Sequence, residues 1–287
     1  MPAISKDILK TLYPARPAEV KKYDYGLMIV IGGSEFYSGS PALISLAGFR
    51  AGVDMVRVIA PKRAADIIAS FSPIMAAYPI ADSHIMQDDL ATLFSLTKGA
   101  KEVSRGNVSV VIGGGMGRSP ETLETVLQYL SQLDIPAVID GDALHAVAKD
   151  PDILKGKPFL LTPNTFELTL LGGRDIRPLS QEERIQEVQA VAQNLGTTLL
   201  VKVKIDIIAD GAHVLLNDTG SPYMSKGGAG DTLAGIAGAL LARRASIINA
   251  AAGAAYINGK AGELAGQKFK ESLVATDIID AIPSAIT

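Results

Sequence analysis

The chain has 287 residues, a length that suits one large α/β domain or two small ones. An apolar fraction of 48% and a charged fraction of 20% exclude a disordered chain, and a net charge of -3 excludes the basic field that nucleic acid or anionic lipid would require. There is no cysteine, which excludes disulfides, thiolate metal sites and a thiol nucleophile and fits a reducing cytoplasm.

The opening segment, MPAISKDILK, carries early charges and no apolar stretch, so it does not read as a secretory signal. Leu27–Ile31 is an apolar run that stops at Gly32-Gly33, a buried strand entering a tight turn. Helix-spaced apolar residues follow over Pro41–Ala51, then a strand over Val53–Ala60, with Pro61 opening the next helix. Val108–Ile112 is a strand running into Gly113-Gly114-Gly115, and Ser119-Pro120-Glu121 starts a helix with a cap, a proline and an acidic first turn. Strands are expected over Pro136–Ile139 and Phe159–Leu161, and an amphipathic helix over Ser180–Asn194 opened by a Ser180 to Glu183 capping box.

After Gly196 the period shortens. Thr198–Lys204, Asp206–Ala209 and His213–Leu216 read as strands, the last two joined by an Asp210-Gly211 hairpin turn. Helices are expected over Asp231–Arg243, Ile247–Ala265 and Thr276–Ile282. Thr232–Gly259 is the most apolar region, but Arg243-Arg244 interrupts it, so it reads as packed core helices and not as a membrane span. Strands alternating with helices predict a mostly parallel sheet covered on both faces, with antiparallel additions late in the chain, in a single domain over residues 1–287.

Ligands of open α/β sheets sit outside the carboxyl ends of the strands, where every distinctive turn of this chain falls. Gly227-Gly228-Ala229-Gly230-Asp231 comes first. Its small residues let main-chain N–H groups approach a phosphate, and the helix it opens presents a positive end. An ionised Asp231 there repels phosphate, so it serves either as a base that takes a proton from an attacking hydroxyl or as a helix cap. Gly32-Gly33-Ser34 with Tyr37–Pro41, Gly113–Gly117, Asp140-Gly141-Asp142 and Thr162-Pro163-Asn164 up to Glu167 supply further small, acidic and amide groups. The spacing at Gly113–Gly117 is not a Rossmann fingerprint, and no Walker A motif occurs. The histidines, His84, His145 and His213, lack ligand-like spacing and read as surface or packing residues.

In chain order, GGSEFYSGSPAL, VVIGGGMG, AVIDGDAL, LLTPNTFEL, LLVKVKID and KGGAGDTLAG resemble the ADP/ATP-dependent NAD(P)H-hydrate dehydratases of the ribokinase-like superfamily, from about Leu27 to about Ala281. The resemblance implies a ribokinase-like fold and repair of hydrated NADH or NADPH, with ADP or ATP as phosphoryl donor and Mg²⁺ as cofactor. It implies that Asp231 is the catalytic base and that Gly227, Gly228, Ala229 and Gly230 hold the transferred phosphate. It further implies that Lys202, Val203, Lys204, Ile205 and Asp206 line the adenosine pocket, and that Ser40, Gly117, Asn164 and Glu167 join Asp231 around the hydrate. The absence of cysteine points to the cytoplasm and the apolar helical C-terminal half to a homo-oligomer, with small molecules as the expected partners. Asn164 stands where the family usually has His, and Lys202-Val203-Lys204 where it has Lys-Gly. A kinase for a hydroxymethylpyrimidine or a sugar, working with the same base and phosphate turn, is the alternative.

Overall fold

The computed structural model describes residues 3–287. The elements are α1 (Ile8–Leu12), β1 (Leu27–Ile31), α2 (Gly39–Arg50), β2 (Met55–Pro61), α3 (Lys62–Phe71), β3 (Ala76–Ile80), α4 (Leu90–Val103), β4 (Val108–Ile112), α5 (Pro120–Gln132) and β5 (Ala137–Ile139). They continue with α6 (Asp142–Val147), β6 (Phe159–Leu161), α7 (Thr165–Leu170), α8 (Gln181–Leu195), β7 (Thr198–Val201), β8 (Asp206–Ala209), β9 (Val214–Asn217), α9 (Ala229–Ala242), α10 (Ile247–Phe269) and α11 (Ala275–Ile286).

The strands form one nine-stranded sheet in the order β3-β2-β1-β4-β5-β6-β7-β8-β9. Pairings from β3 across to β7 are parallel, and β7–β8 and β8–β9 are antiparallel, so the late hairpin extends a parallel sheet as expected. Every residue of β1 and β4 is buried, which a sheet covered on both faces demands. The strand period of two sends Met28 and Val30 into a layer with α2, α9, α10 and α11, while Leu27, Ile29 and Ile31 face α4, α5 and α8.

Helix α9 explains the small-residue composition of the C-terminal region. It packs on the sheet beside α2, and a Cβ on Gly235 would come 2.2 Å from the Ile44 carbonyl oxygen, one on Gly238 2.2 Å from the Val111 side chain. Alanine and glycine on α9 and α10 are therefore what lets these helices close on one another and α9 on the sheet, and no helix of the described residues is long and apolar enough to cross a membrane.

Most expected elements stand within two or three residues. Ser119 accepts from the Thr122 N–H at the start of α5, and Ser180 and Glu183 form the expected capping box. Pro61 ends β2 as the residue before α3 and does not open the helix. Strand β3 and helix α4 carry weak sequence signals for physical reasons. The first is an edge strand with Pro79 and mostly half-exposed residues. The second buries a stripe of only Leu93, Thr97 and Ala100, with the Thr97 hydroxyl 2.7 Å from that of Tyr129.

Candidate active site

The winding of the chain fixes where a ligand can sit. From β1 it builds outward to β2 and β3, then crosses back to lay β4 and its successors on the other side, so a crevice opens beyond the carboxyl ends of β1 and β4. The glycine turns after these strands interlock, Gly33 N–H donating to the Gly114 carbonyl at 2.8 Å. Gly113 has φ +129°, and a Cβ there would lie 1.7 Å from the Asp140 carbonyl oxygen, so the ends of β4 and β5 meet backbone to backbone.

The phosphate turn enters this crevice from α9. The helix begins at Ala229, two residues ahead of the sequence expectation, with Gly228 at the N-cap and Asp231 third in the first turn. Unlike the first-turn carboxylates of α7 and α8, that of Asp231 takes no bond from its helix's N-cap backbone. The cap reading of this residue therefore falls away. An added Cβ on Gly114 would lie 3.5 Å from Asp231 Oδ1 and 3.1 Å from the Ser40 Cβ, which brings Ser40, Asp231 and the β4 turn together. Burial, and then the charge of Asp140, push the Asp231 carboxyl up to about 7, against the opposing pull of the Ser40 hydroxyl and Lys202. Such a group is part ionised near neutral pH, as a general base requires. Asn258 supports the turn from α10, accepting from the Thr232 hydroxyl at 2.6 Å and donating to the Ala229 carbonyl at 3.3 Å.

Lys202 reaches from the end of β7 towards the phosphate turn. Its ammonium donates to Asp140 Oδ1 at 2.9 Å and lies 3.9 Å from Glu167 Oε2. A Cβ on Gly230 would be 3.5 Å from the same ammonium, so the charge stands against the phosphate turn itself. Burial opposes that charge, but Asp140, Glu167 and Asp231 outweigh it and hold the Lys202 pKa above its usual value. Asp140 also accepts from the Thr162 hydroxyl at 2.6 Å. The Asp140–Lys202 pair escapes sequence reasoning because its members lie 62 positions apart and meet only across the ends of β5 and β7, on either side of β6.

Asn164 and Glu167 sit at the head of α7 in a reciprocal cap. Asn164 Oδ1 accepts from the Phe166 and Glu167 N–H groups, both at 2.9 Å, and Glu167 Oε2 accepts from the Asn164 N–H at 2.8 Å. The side-chain oxygen of Asn164 is thus committed to the helix, leaving its amide NH₂ to face a ligand. Glu167 is raised by burial, with Lys202 pulling the other way.

Lys202, Val203 and Lys204 line a cavity of about 270 Å³ with Thr165, Ile176, Arg177 and Arg184, next to the crevice. Asp206 fastens the β7–β8 turn. Its carboxylate accepts from the Val203 N–H at 3.1 Å and from Asn217 Nδ2 at 3.1 Å, and burial raises it to about 6. Ile205 is half-buried in that turn. Gly117 lies at the outer edge of its loop, held by its N–H to Asp142 Oδ2 at 2.9 Å, and Gly227 is exposed at the mouth.

This sheet, with a glycine turn and an unspent aspartate at the head of a buried helix, defines the ribokinase-like class. A solved ribokinase-like protein from Enterococcus faecalis superposes with TM-score 0.82 at 24% identity, covering 99% of this chain and 94% of that one. The Bacillus subtilis ADP/ATP-dependent NAD(P)H-hydrate dehydratase, co-crystallised with ATP and Mg²⁺, gives TM-score 0.78 at 21% identity over 99% of this chain and 97% of that one. The chain belongs to the NAD(P)H-hydrate dehydratase family, which it matches over residues 28–284. It is 35% identical, over 99% of its length and 96% of the relative, to the ADP-dependent (S)-NAD(P)H-hydrate dehydratase of Cenarchaeum symbiosum. It is 37% identical over 94% of its length to a bifunctional NAD(P)H-hydrate repair enzyme of Pyrobaculum aerophilum, of which the match spans 52%.

Proposed function

We propose that the protein returns hydrated NADH or NADPH to the reduced cofactor, using a nucleotide phosphate to activate the ring hydroxyl and Asp231 to deprotonate it. The observation that carries this reading is a carboxylate near neutral pKa, free of capping duty, in the first turn of α9. Asp231 takes the hydroxyl proton while the hydroxyl oxygen forms a bond to the terminal phosphorus of ADP or ATP and the bridging P–O bond breaks, releasing AMP or ADP. Phosphate then leaves with the C–O electron pair, pushed by the ring nitrogen, and loss of a neighbouring ring proton completes the dihydropyridine. The hydroxyl oxygen departs in the inorganic phosphate and the two hydrogens as protons, so the elements of water leave the cofactor with no redox change.

In this reading Gly227, Gly228, Ala229 and Gly230 hold the transferred phosphoryl group, and the Lys202 ammonium lies beside it to offset developing charge. Val203 and Lys204 border the nucleotide, while Ser40, Gly117, the Asn164 amide and Glu167 surround the hydrate. Magnesium would arrive on the nucleotide phosphates with most of its water shell. The described residues hold no cluster of three acidic or histidine ligands, so Asp140 would hold the ion through those waters while the ion neutralised phosphate charge and Asp231 kept its role as base. The cysteine-free composition supports a cytoplasmic setting.

Incubation with hydrated NADH or NADPH and either nucleotide tests the proposal, through the return of reduced-nicotinamide absorbance. A protein inert on the hydrate that phosphorylates a pyrimidine alcohol or a sugar would be a kinase of the same fold.

A further inference from the structure

A second cavity, of about 350 Å³, lies at the opposite end of the molecule. Its walls come from the loop after α1, the carboxyl ends of α2 and α11, and the residue that caps the carboxyl end of α9. Ser40 and Asp231 sit at the other ends of α2 and α9, roughly 15–18 Å away along the helices at 1.5 Å per residue. This cavity is therefore separate from the phosphate turn.

Three guanidiniums line it, those of Arg16, Arg50 and Arg243, beside an apolar wall that includes Pro14, Pro283 and Ile286. Arg243 is fixed in place. It donates to the Gly52 carbonyl at 2.9 Å and the Leu12 carbonyl at 3.1 Å, and it stacks on Tyr13 and Tyr25 with centroid distances of 4.6 and 4.9 Å. Its Nε–H is buried with no acceptor, and no carboxylate of the described residues lies within ion-pair distance of it. Burial draws its pKa down, and Arg16 adds like-charge repulsion to the same effect. Arg16 stacks on Tyr25 at 3.7 Å and has Asp54 at 3.9 Å, while Arg50 has the exposed Asp280 at 3.5 Å. Each guanidinium carries five N–H donors. Arg16 and Arg50 each give one to the protein and Arg243 gives two, so most of the donors on these three side chains have no protein acceptor.

One anchored, largely buried guanidinium flanked by two exposed ones, three cations with only two carboxylates in ion-pair range, matches a phosphate group, whose oxygens accept in the planar geometry that arginine offers. The volume falls within the range of small-molecule sites and exceeds what a bare ion needs. We propose that this cavity is a second binding site, for a small phosphate-bearing molecule, at the foot of the two helices that carry Ser40 and Asp231. Free phosphate and an adenine nucleotide share the required chemistry.

Calorimetric titration with inorganic phosphate and with ADP distinguishes them, using the wild type, Arg50→Gln and an Arg16→Gln/Arg50→Gln double variant. Arg50 holds only an exposed ion pair, so the single variant is expected to fold, and thermal melts check both. If the site takes nucleotide, the wild type binds two ADP per chain, and one of the two weakens about 10-fold or more in Arg50→Gln, the worth of a charge-assisted hydrogen bond. If it takes free phosphate, ADP binds once, and phosphate binding in the presence of saturating ADP weakens to the same extent. A single ADP site together with phosphate binding that neither variant alters overturns the proposal.

Discussion

The Lys202 ammonium donates to Asp140 Oδ1 at 2.9 Å across the ends of β7 and β5, at a point where it also borders Gly230 of the phosphate turn. This pair sets the electrostatics of the crevice, because Asp140 raises the Asp231 pKa and Lys202 lowers it.

Asp231→Asn retains the shape of the side chain and removes the base. Turnover is expected to fall ~10²-fold or more, with nucleotide affinity largely kept. Steady-state rates with equilibrium nucleotide titration check this, and near-normal turnover would sink the assignment of Asp231 as base.

The raised pKa of Asp231 has two consequences of opposite sign. Activity depends on the ionised form, so kcat/KM should climb through an apparent pKa near 7 and level off above it. Stability runs the other way. The folded protein holds this proton more tightly than the unfolded chain does, so the contribution is present below the ordinary carboxylate pKa and is lost as pH rises through about 7. Asp231→Asn removes that loss, and its melting temperature at pH 8 should equal or exceed that of the wild type. A clearly less stable variant at pH 8 would contradict the buried-charge account.

Lys202→Gln should move the alkaline-rising limb of the rate profile to higher pH, since a group that lowers the Asp231 pKa is gone. Asp140→Asn should move it to lower pH, because a raising charge is gone. Rate profiles of both variants test the pair together; shifts in the same direction would show that these charges do not tune Asp231.

Asn164→Ala removes the oxygen that accepts two N–H groups at the head of α7, and should cost about 1 kcal/mol of stability. Asn164→Ser keeps a capping oxygen and should lose much less. Asn164→His, which restores the residue usual in the family, should also weaken the cap, so any gain in hydrate repair would come with a lower melting temperature. Thermal melts of the three variants, read beside their rates, check this. An Asn164→Ala protein as stable as the wild type would remove the cap from the account.

Gly113→Ala should fail to fold stably or lose the crevice. The added carbon would overlap the Asp140 carbonyl, in a conformation with φ +129° that side chains rarely adopt. Soluble expression and a melting curve test it, and a stable, active variant would show that the β4–β5 junction can open.

Local physics made much of this protein legible in its sequence. Leu27–Ile31, Val108–Ile112, Phe159–Leu161 and Asp206–Ala209 stand as strands at the expected residues, because continuous apolar runs ended by turn residues have one economical fate in a covered sheet. The caps at Ser119 and Ser180 were readable because a cap and its target lie three residues apart. Glycine turns and Asp231 could be placed at strand ends and at a helix start for the same local reason. The tertiary structure alone decided what those groups do to one another. Lys202 pairs with Asp140, Asp206 holds its own turn, and the Asn164 oxygen caps α7. Each outcome depends on which strand ends lie side by side and how deeply a charge is buried, quantities fixed by strand order and packing between residues far apart in the chain.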